Sequence, residues 1–259
     1  MLRRCLLVRR PSPRLELGEL THLTRTSVDA ELAVEQWRGY VDVFRAAGWT
    51  VIEVDPADEL PDGVFVEDTV VVFDDLAVLT RPGAASRVAE VASTARVLDR
   101  LVEDGRVRET ARIEAPGHLE GGDVLKVGRT AYVGLSSRTD EAGVAQLRAL
   151  LEPRGWTVVT VPVTKVLHLK SGVTALPDGT VIGWEQNVDD PGSFEAFLPV
   201  PEEHGTAVVD LGDGAVVMSA DAPRTAALLR ERGLAVHEVA ISEFEKLEGC
   251  VTCLSVRVR

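Results

Sequence analysis

A short polar turn between two β-branched runs recurs four times along this chain, and that recurrence constrains the fold more than any other feature. Thr69 to Phe73 and Leu76 to Thr80 flank Asp74-Asp75, and Val124 to Val127 and Thr130 to Val133 flank Gly128-Arg129. Val173 to Leu176 and Thr180 to Trp184 flank Pro177-Asp178-Gly179, and Ala207 to Leu211 and Ala215 to Met218 flank Gly212-Asp213-Gly214. Val, Ile and Thr suit a pleated strand, and Gly and Asp suit tight turns, so each pair is a predicted β-hairpin. Helical patterns follow three of the hairpins, over Ser86 to Leu101, Thr139 to Leu151 and Ala222 to Arg232. Gly155 and Gly233 stand where two of these helices stop, at positions that call for a left-handed cap. Further strands are predicted at Thr157 to Val161 and Ala235 to Ile241. The third hairpin leads instead into Asp189 to Pro201, a stretch broken by Pro and Gly, which predicts an irregular copy.

The turns lie near residues 74, 128, 178 and 213, in steps of 54, 50 and 35, too unequal for a strict solenoid. Cys5 to Arg9 forms a lone predicted strand before a helix over Asp29 to Ala47, and Cys253 to Val258 is a second unpaired strand. Pairing these two would complete a fifth unit and remove open sheet edges. The expected architecture is therefore α/β: a five-bladed ββαβ propeller with pseudo-fivefold symmetry, in a single domain spanning residues 1–259. An open α/β sandwich would use the same elements.

Charge narrows the function. Twenty-eight Lys and Arg against 41 Asp and Glu give a net charge of -13, which repels phosphate backbones and anionic lipid and favours a cationic small molecule. Nucleic acid and membrane are not expected as partners. The apolar stretch Cys5 to Val8 is too short for the core of a signal peptide, and no run approaches the roughly 18 apolar residues that span a bilayer, so a cytoplasmic location is expected. The oligomeric state stays open, a homodimer being the one assembly considered.

Four clusters carry chemistry. Asp62-Gly-Val-Phe-Val-Glu67-Asp68 sets carboxylates among apolar residues at a strand entrance, which suits a cation, although acidic turns there are common. Leu119-Glu120-Gly121-Gly122-Asp123 places paired glycines where a backbone can approach closely, but alone it reads as a Gly-Gly turn, and no dinucleotide fingerprint is present. His168, between Leu167 and Leu169, is suited to proton transfer or to a structural hydrogen bond. Cys250 and Cys253 form a C-x-x-C spacing. A zinc site lacks a second Cys pair and a thioredoxin-type pair lacks its helix, which leaves one nucleophilic thiol or two inert ones.

Six strings occur in order: Asp62-Gly-Val-Phe-Val-Glu-Asp-Thr, Thr80-Arg-Pro-Gly-Ala-Ala-Ser-Arg87, Leu119-Glu-Gly-Gly-Asp-Val-Leu, Gly134-Leu-Ser-Ser-Arg-Thr, Leu167-His-Leu-Lys-Ser and Thr252-Cys253. Together they resemble the dimethylarginine dimethylaminohydrolase (dimethylargininase) family, of the guanidino-modifying superfamily that includes arginine deiminase. The resemblance runs from about Leu2 to the end of the sequence and implies a five-bladed α/β propeller. It implies Cys253 as nucleophile, with Cys250 a bystander, His168 as general acid and base, and Glu120 as the residue that orients His168. Glu67 and Asp68 would hold the substrate guanidinium. Asp62, aided by the Leu247 carbonyl, would hold the α-ammonium, and Arg87 and Arg138 the α-carboxylate. Leu23 would lie in a lid loop.

That family's chemistry suits these residue types. A guanidinium is a poor electrophile, and carboxylates that fix its orientation let a thiolate reach its central carbon. Hydrolysis of asymmetric dimethylarginine or monomethylarginine to citrulline and an amine would then pass through a covalent Cys253 intermediate, with no metal or organic cofactor. The rival readings are an arginine deiminase-like amidine hydrolase and a non-catalytic binder of arginine analogues. A binder has no use for Cys253 and His168.

Overall fold

In a computed structural model, residues 4–259 are described; the resemblance at Leu2 and the basic flank at Arg3 lie outside them. The first unit is β1 (Cys5–Val8), α1 (Ala30–Ala46) and β2 (Thr50–Glu53). The second is β3 (Val70–Phe73), β4 (Leu76–Leu79), α2 (Val91–Glu103) and β5 (Glu109–Arg112), and the third is β6 (Val124–Val127), β7 (Thr130–Leu135), α3 (Glu141–Leu151) and β8 (Thr157–Pro162). A short α4 (Leu169–Gly172) precedes β9 (Val173–Ala175), β10 (Val181–Gly183) and β11 (Phe197–Pro199); the expected irregular copy has 3-10 turns where the others have a helix. The last unit is β12 (Val208–Gly212), β13 (Ala215–Ser219), α5 (Pro223–Glu231) and β14 (Ala235–Val239), followed by α6 (Ser242–Glu245) and β15 (Val256–Val258).

These strands form five three-stranded sheets among the described residues. In each, the middle strand pairs antiparallel with one neighbour and parallel with the other. Thus β4 lies between β3 and β5, β7 between β6 and β8, β10 between β9 and β11, and β13 between β12 and β14. The ends of the chain reproduce the pattern: Cys5 of β1 faces Val258 of β15 antiparallel and Thr50 of β2 parallel. The expected pairing of first and last strands is present.

The hairpin strands β3 and β4 are continuously apolar because both of their faces are buried. Along β3, Val70 and Val72 enter one apolar cluster with Leu7 of β1 and Val256 of β15, while Val71 and Phe73 enter another with Val124 and Val133. In the same alternation, Val124 and Leu125 separate, as do Val181 and Ile182, and Val216 and Val217. Each cluster is thus shared by two sheets.

Two helices start at side-chain caps: Asp29 accepts the Glu31 and Leu32 N–H groups at 3.0 Å, and Asp140 accepts that of Gly143 at 2.8 Å. Gly155 and Gly233 take φ of 77° and 89°. The helix expected from Ser86 begins instead as a 3-10 turn, Ala85–Glu90, before α2. In a 3-10 turn, residues three apart eclipse, which stacks Arg87 directly against Glu90. The strand expected from Cys253 begins only at Val256, because the Cys253 N–H donates to the Cys250 carbonyl at 3.1 Å and closes a turn. No helix among the described residues is long and apolar enough to cross a membrane.

Candidate active site

The mouths of three sheets supply the charged residues. Two 3-10 turns, Pro61–Val64 and Val66–Thr69, feed β3 and bury Asp62, Glu67 and Asp68. Asp68 accepts Arg87 Nη1 on Oδ2 at 2.7 Å and the Gly122 N–H on Oδ1 at 2.8 Å. Arg87 also donates Nε and Nη2 to Glu90 at 3.1 and 2.9 Å. At the mouth of β6, Glu120 Oε2 accepts from His168 Nε2 at 2.7 Å, and Asp68 Oδ1 lies 4.0 Å from the same nitrogen. Asp123 fixes the next residue along by accepting the Leu169 N–H at 2.9 Å.

Gly121 and Gly122 are demanded by close approach. A Cβ on Gly121 would lie 1.9 Å from the Glu67 carbonyl, and one on Gly122 would lie 2.7 Å from His168 Cγ and Nδ1 and 2.8 Å from Asp68 Oδ1. Gly122→Ala is therefore expected to displace His168 and lower kcat/KM at least about a hundredfold, the penalty typical of misplaced catalytic groups. Steady-state kinetics on the folded variant measure it, and a change within threefold would show that the contact yields freely.

Burial alone would lower the His168 pKa, but Asp68, Asp123 and Glu120 raise it to about 9. Burial alone would raise that of Asp68, but His168 and Arg87 hold it at about 2. The resting cluster is an imidazolium among carboxylates. Cys253 is buried, and the hydrogen bond shared with Cys250, together with burial, pushes its thiol upward.

Cys253, His168, Asp68, Asp62, Arg87, Arg138 and Leu247 line one narrow cavity of about 20 Å³ with Glu19, Phe65, Leu167, Glu248 and Gly249. That space holds about one water, so any larger ligand must displace part of its wall. The wall nearest to hand is the loop before α1. Thr21, His22 and Leu23 donate their N–H groups to the Glu248 carboxylate, that of Leu23 at 2.8 Å. Glu19 pairs with Arg138 at 3.1 Å and accepts the Ser86 hydroxyl, while its N–H donates to Asp62 at 3.1 Å.

The sequence is 58% identical over 253 residues to the dimethylarginine dimethylaminohydrolase of Streptomyces coelicolor, across 98% of this chain and 96% of that protein. It is 34% identical to that of Pseudomonas aeruginosa, across 97% and 98%. Residues 22–173 match the family described as N,N dimethylarginine dimethylhydrolase, eukaryotic. This chain belongs to the dimethylarginine dimethylaminohydrolase family.

A cysteine-to-serine variant of the Pseudomonas dimethylarginine dimethylaminohydrolase, complexed with citrulline, superposes with a TM-score of 0.88 at 32% identity, over 99% of this chain and all of that one. A histidine-to-glycine variant of a dimethylarginine dimethylaminohydrolase, as an adduct with S-methyl-L-thiocitrulline, gives 0.87 at 32% identity, over the same shares. An N-terminal domain of the arginine dihydrolase ArgZ shares the fold at 22% identity and a TM-score of 0.82, covering 98% of each chain.

Three of the sequence-expected residues do not line the small cavity of this dimethylarginine dimethylaminohydrolase family member: Glu120, which reaches it only through its hydrogen bond to His168, Glu67 and Leu23. Glu67 sits behind it, with Oε1 paired to Lys170 at 2.6 Å and Arg257 at 2.8 Å, and its buried Oε2 has no hydrogen-bond partner. Leu23 is 47% exposed and lines a neighbouring cavity. Arg87, by contrast, lines the small cavity but is committed to Asp68 and Glu90. Sequence reasoning passed over Glu19, Glu90, Asp123, Lys170 and Glu248. Of these, Glu90 had a signal in its three-residue spacing from Arg87, and Asp123 and Lys170 stood inside quoted strings. Glu19 lies in a loop with no pattern.

Asp68, Glu120 and His168 present ligand atoms within 4.8 Å of one another, the one such group among the described residues. A metal ion there would face Arg87, whose Nη1 is 3.7 Å from Glu120, and would compete with the hydrogen bonds above.

Proposed function

We propose that this pocket hydrolyses N-omega-methylated arginine to citrulline and dimethylamine or methylamine through a covalent intermediate on Cys253. The observation that carries the reading is the convergence of one thiol, one carboxylate-held imidazole and the buried carboxylates of Asp62 and Asp68 on a single narrow cavity. The chain is accordingly a hydrolase of C–N bonds.

The guanidinium docks against Asp68, with Glu67 contributing charge from behind. Asp62 and the Leu247 carbonyl take the α-ammonium, and Arg138 takes the α-carboxylate with Arg87 beside it. A cation placed next to Cys253 lowers the cost of the thiolate that burial otherwise opposes. The thiolate attacks the central guanidino carbon. His168, held through Nε2 by Glu120, exchanges protons through Nδ1: it protonates the departing amine, then deprotonates the water that releases citrulline. The loop carrying Leu23 closes over the site. We also infer one domain closed as a five-bladed ring. The five apolar clusters, each shared by two sheets, follow one another cyclically from the first sheet back to it, which supports closure.

Citrulline release from asymmetric dimethylarginine, compared with arginine, tests the reading. Faster turnover of arginine would move the chain to the deiminase class, and binding without turnover would make it a binder.

The imidazolium gives a pH signature. His168 has its pKa raised from 6.5 to about 9, so its ion pairs stabilise the fold fully below pH 6.5 and are lost as pH rises through about 9. The acid form required for amine departure is lost over the same range. Glu120→Gln removes one of the charges that raise this pKa, so the alkaline fall of kcat/KM should move to lower pH. An unmoved limb would sink the assignment of Glu120.

A further inference from the structure

Cys250 stands apart from the residues used above. It is half-buried and lines a second cavity of about 270 Å³, beside Leu23, Ser171, His204 and Val251, whereas the Cys253 thiol faces the cavity of about 20 Å³. The two sulfur atoms are 3.4 Å apart, and the Thr252 hydroxyl lies 3.2 Å from Cys250 Sγ. The Cys253 N–H to Cys250 carbonyl bond closes a four-residue turn, which holds the two Cα atoms within about 7 Å, close to the span a disulfide requires. Neither thiol is committed elsewhere to a disulfide among the described residues.

We propose that Cys250 is an oxidation site, at which a small hydroperoxide entering by the larger cavity produces a Cys250–Cys253 disulfide and so removes the nucleophile. In the first step the Cys250 thiolate attacks the peroxide, an S–O bond forms, the O–O bond breaks and hydroxide or alkoxide leaves. In the second, Cys253 sulfur attacks the Cys250 sulfenic acid, the S–O bond breaks, and water departs with the Cys253 proton. A dithiol reductant reverses the change by exchange. Access sets the order of events, because the larger cavity reaches Cys250 and the smaller barely admits water. The hydrogen bond from Cys253 holds the Cys250 thiol at about pKa 7, which supplies thiolate for the first step. The loss of activity rests on the reading of Cys253 as nucleophile; formation of the disulfide does not.

The test treats the reduced full-length protein with a small excess of hydrogen peroxide, blocks free thiols, and follows intact mass, peptide map and citrulline release together. Read before blocking, wild type should become two hydrogens lighter, and after blocking and digestion it should yield a Cys250–Cys253 linked peptide. Its activity should fall in step, and dithiothreitol should restore it. Cys250→Ala should remain active, lose activity at least about tenfold more slowly, and end with Cys253 over-oxidised and not rescued. Oxygen added to Cys253 without a cross-link, or equal inactivation rates in both proteins, would overturn the proposal. A cross-link that left activity intact would overturn the blocking step and, with it, the nucleophile assignment. Failure of the reduced protein to release citrulline would strike the proposed function while the cross-link still tested the oxidation.

Discussion

Cys253→Ser should lower kcat/KM at least about 10⁴-fold, a loss of about 5.5 kcal/mol or more in transition-state stabilisation. A serine hydroxyl is far less acidic than a thiol, and the carboxylates around it oppose a second anion. Docking of a guanidinium that suffices to draw out a thiolate therefore falls short of an alkoxide. Binding should survive, because the carboxylates and Arg138 are untouched, so titration with asymmetric dimethylarginine should still give saturable binding. Cys250→Ser should retain most of the activity under reducing conditions. The outcome that sinks a single nucleophile is equal loss in both variants, which would make the two thiols one working pair.

The second large effect belongs to His168. His168→Ala should cost about 10³- to 10⁴-fold, since in the proposed mechanism one imidazole acts as acid in the first half-reaction and as base in the second. The two roles can be separated by an analogue whose leaving group, a thiolate, departs without a proton. With that analogue the variant should still form the covalent adduct on Cys253, seen as a mass increase, and then stall before hydrolysis. Turnover of both ligands near the wild-type rate would remove His168 from the mechanism. No adduct with the analogue would show instead that His168 is needed to generate the thiolate.

The four hairpins were legible because their strands are mostly buried on both faces: every residue in Val70–Phe73, and Val124 and Leu125 in β6, answers to packing. The outer strands β2 and β5 were not, since Glu109–Arg112 is largely exposed, Thr50–Glu53 is half-buried, and neither four-residue run holds more than two apolar residues. Within the site, Glu120, His168 and Cys253 stood out as reactive types inside distinctive strings. Their mutual distances were not readable, because they are separated by 48 and 85 residues and meet only through the sheet mouths. The Cys250–Cys253 spacing was visible, but the contact depends on a turn where a strand was expected. Arg87 was legible as a charge and not as the centre of a buried pair with Glu90, because its helix was read without its 3-10 opening.

The loop contact of Glu19 has a consequence for selectivity. Its amide hydrogen sits on Asp62 and its carboxylate on Arg138, the two groups proposed to hold the ammonium and carboxylate of an amino acid. The resting protein thus holds an imitation of its own ligand's head, tethered at high local concentration. A fragment with only a guanidinium leaves that imitation in place and finds no room. A free amino acid of the right length replaces both contacts at once and carries the loop with it. Apparent affinity is then reduced by the fraction of time the seat is self-occupied, and that reduction falls hardest on partial ligands. Discrimination against simple guanidines would thereby reside in a residue that never needs to touch them.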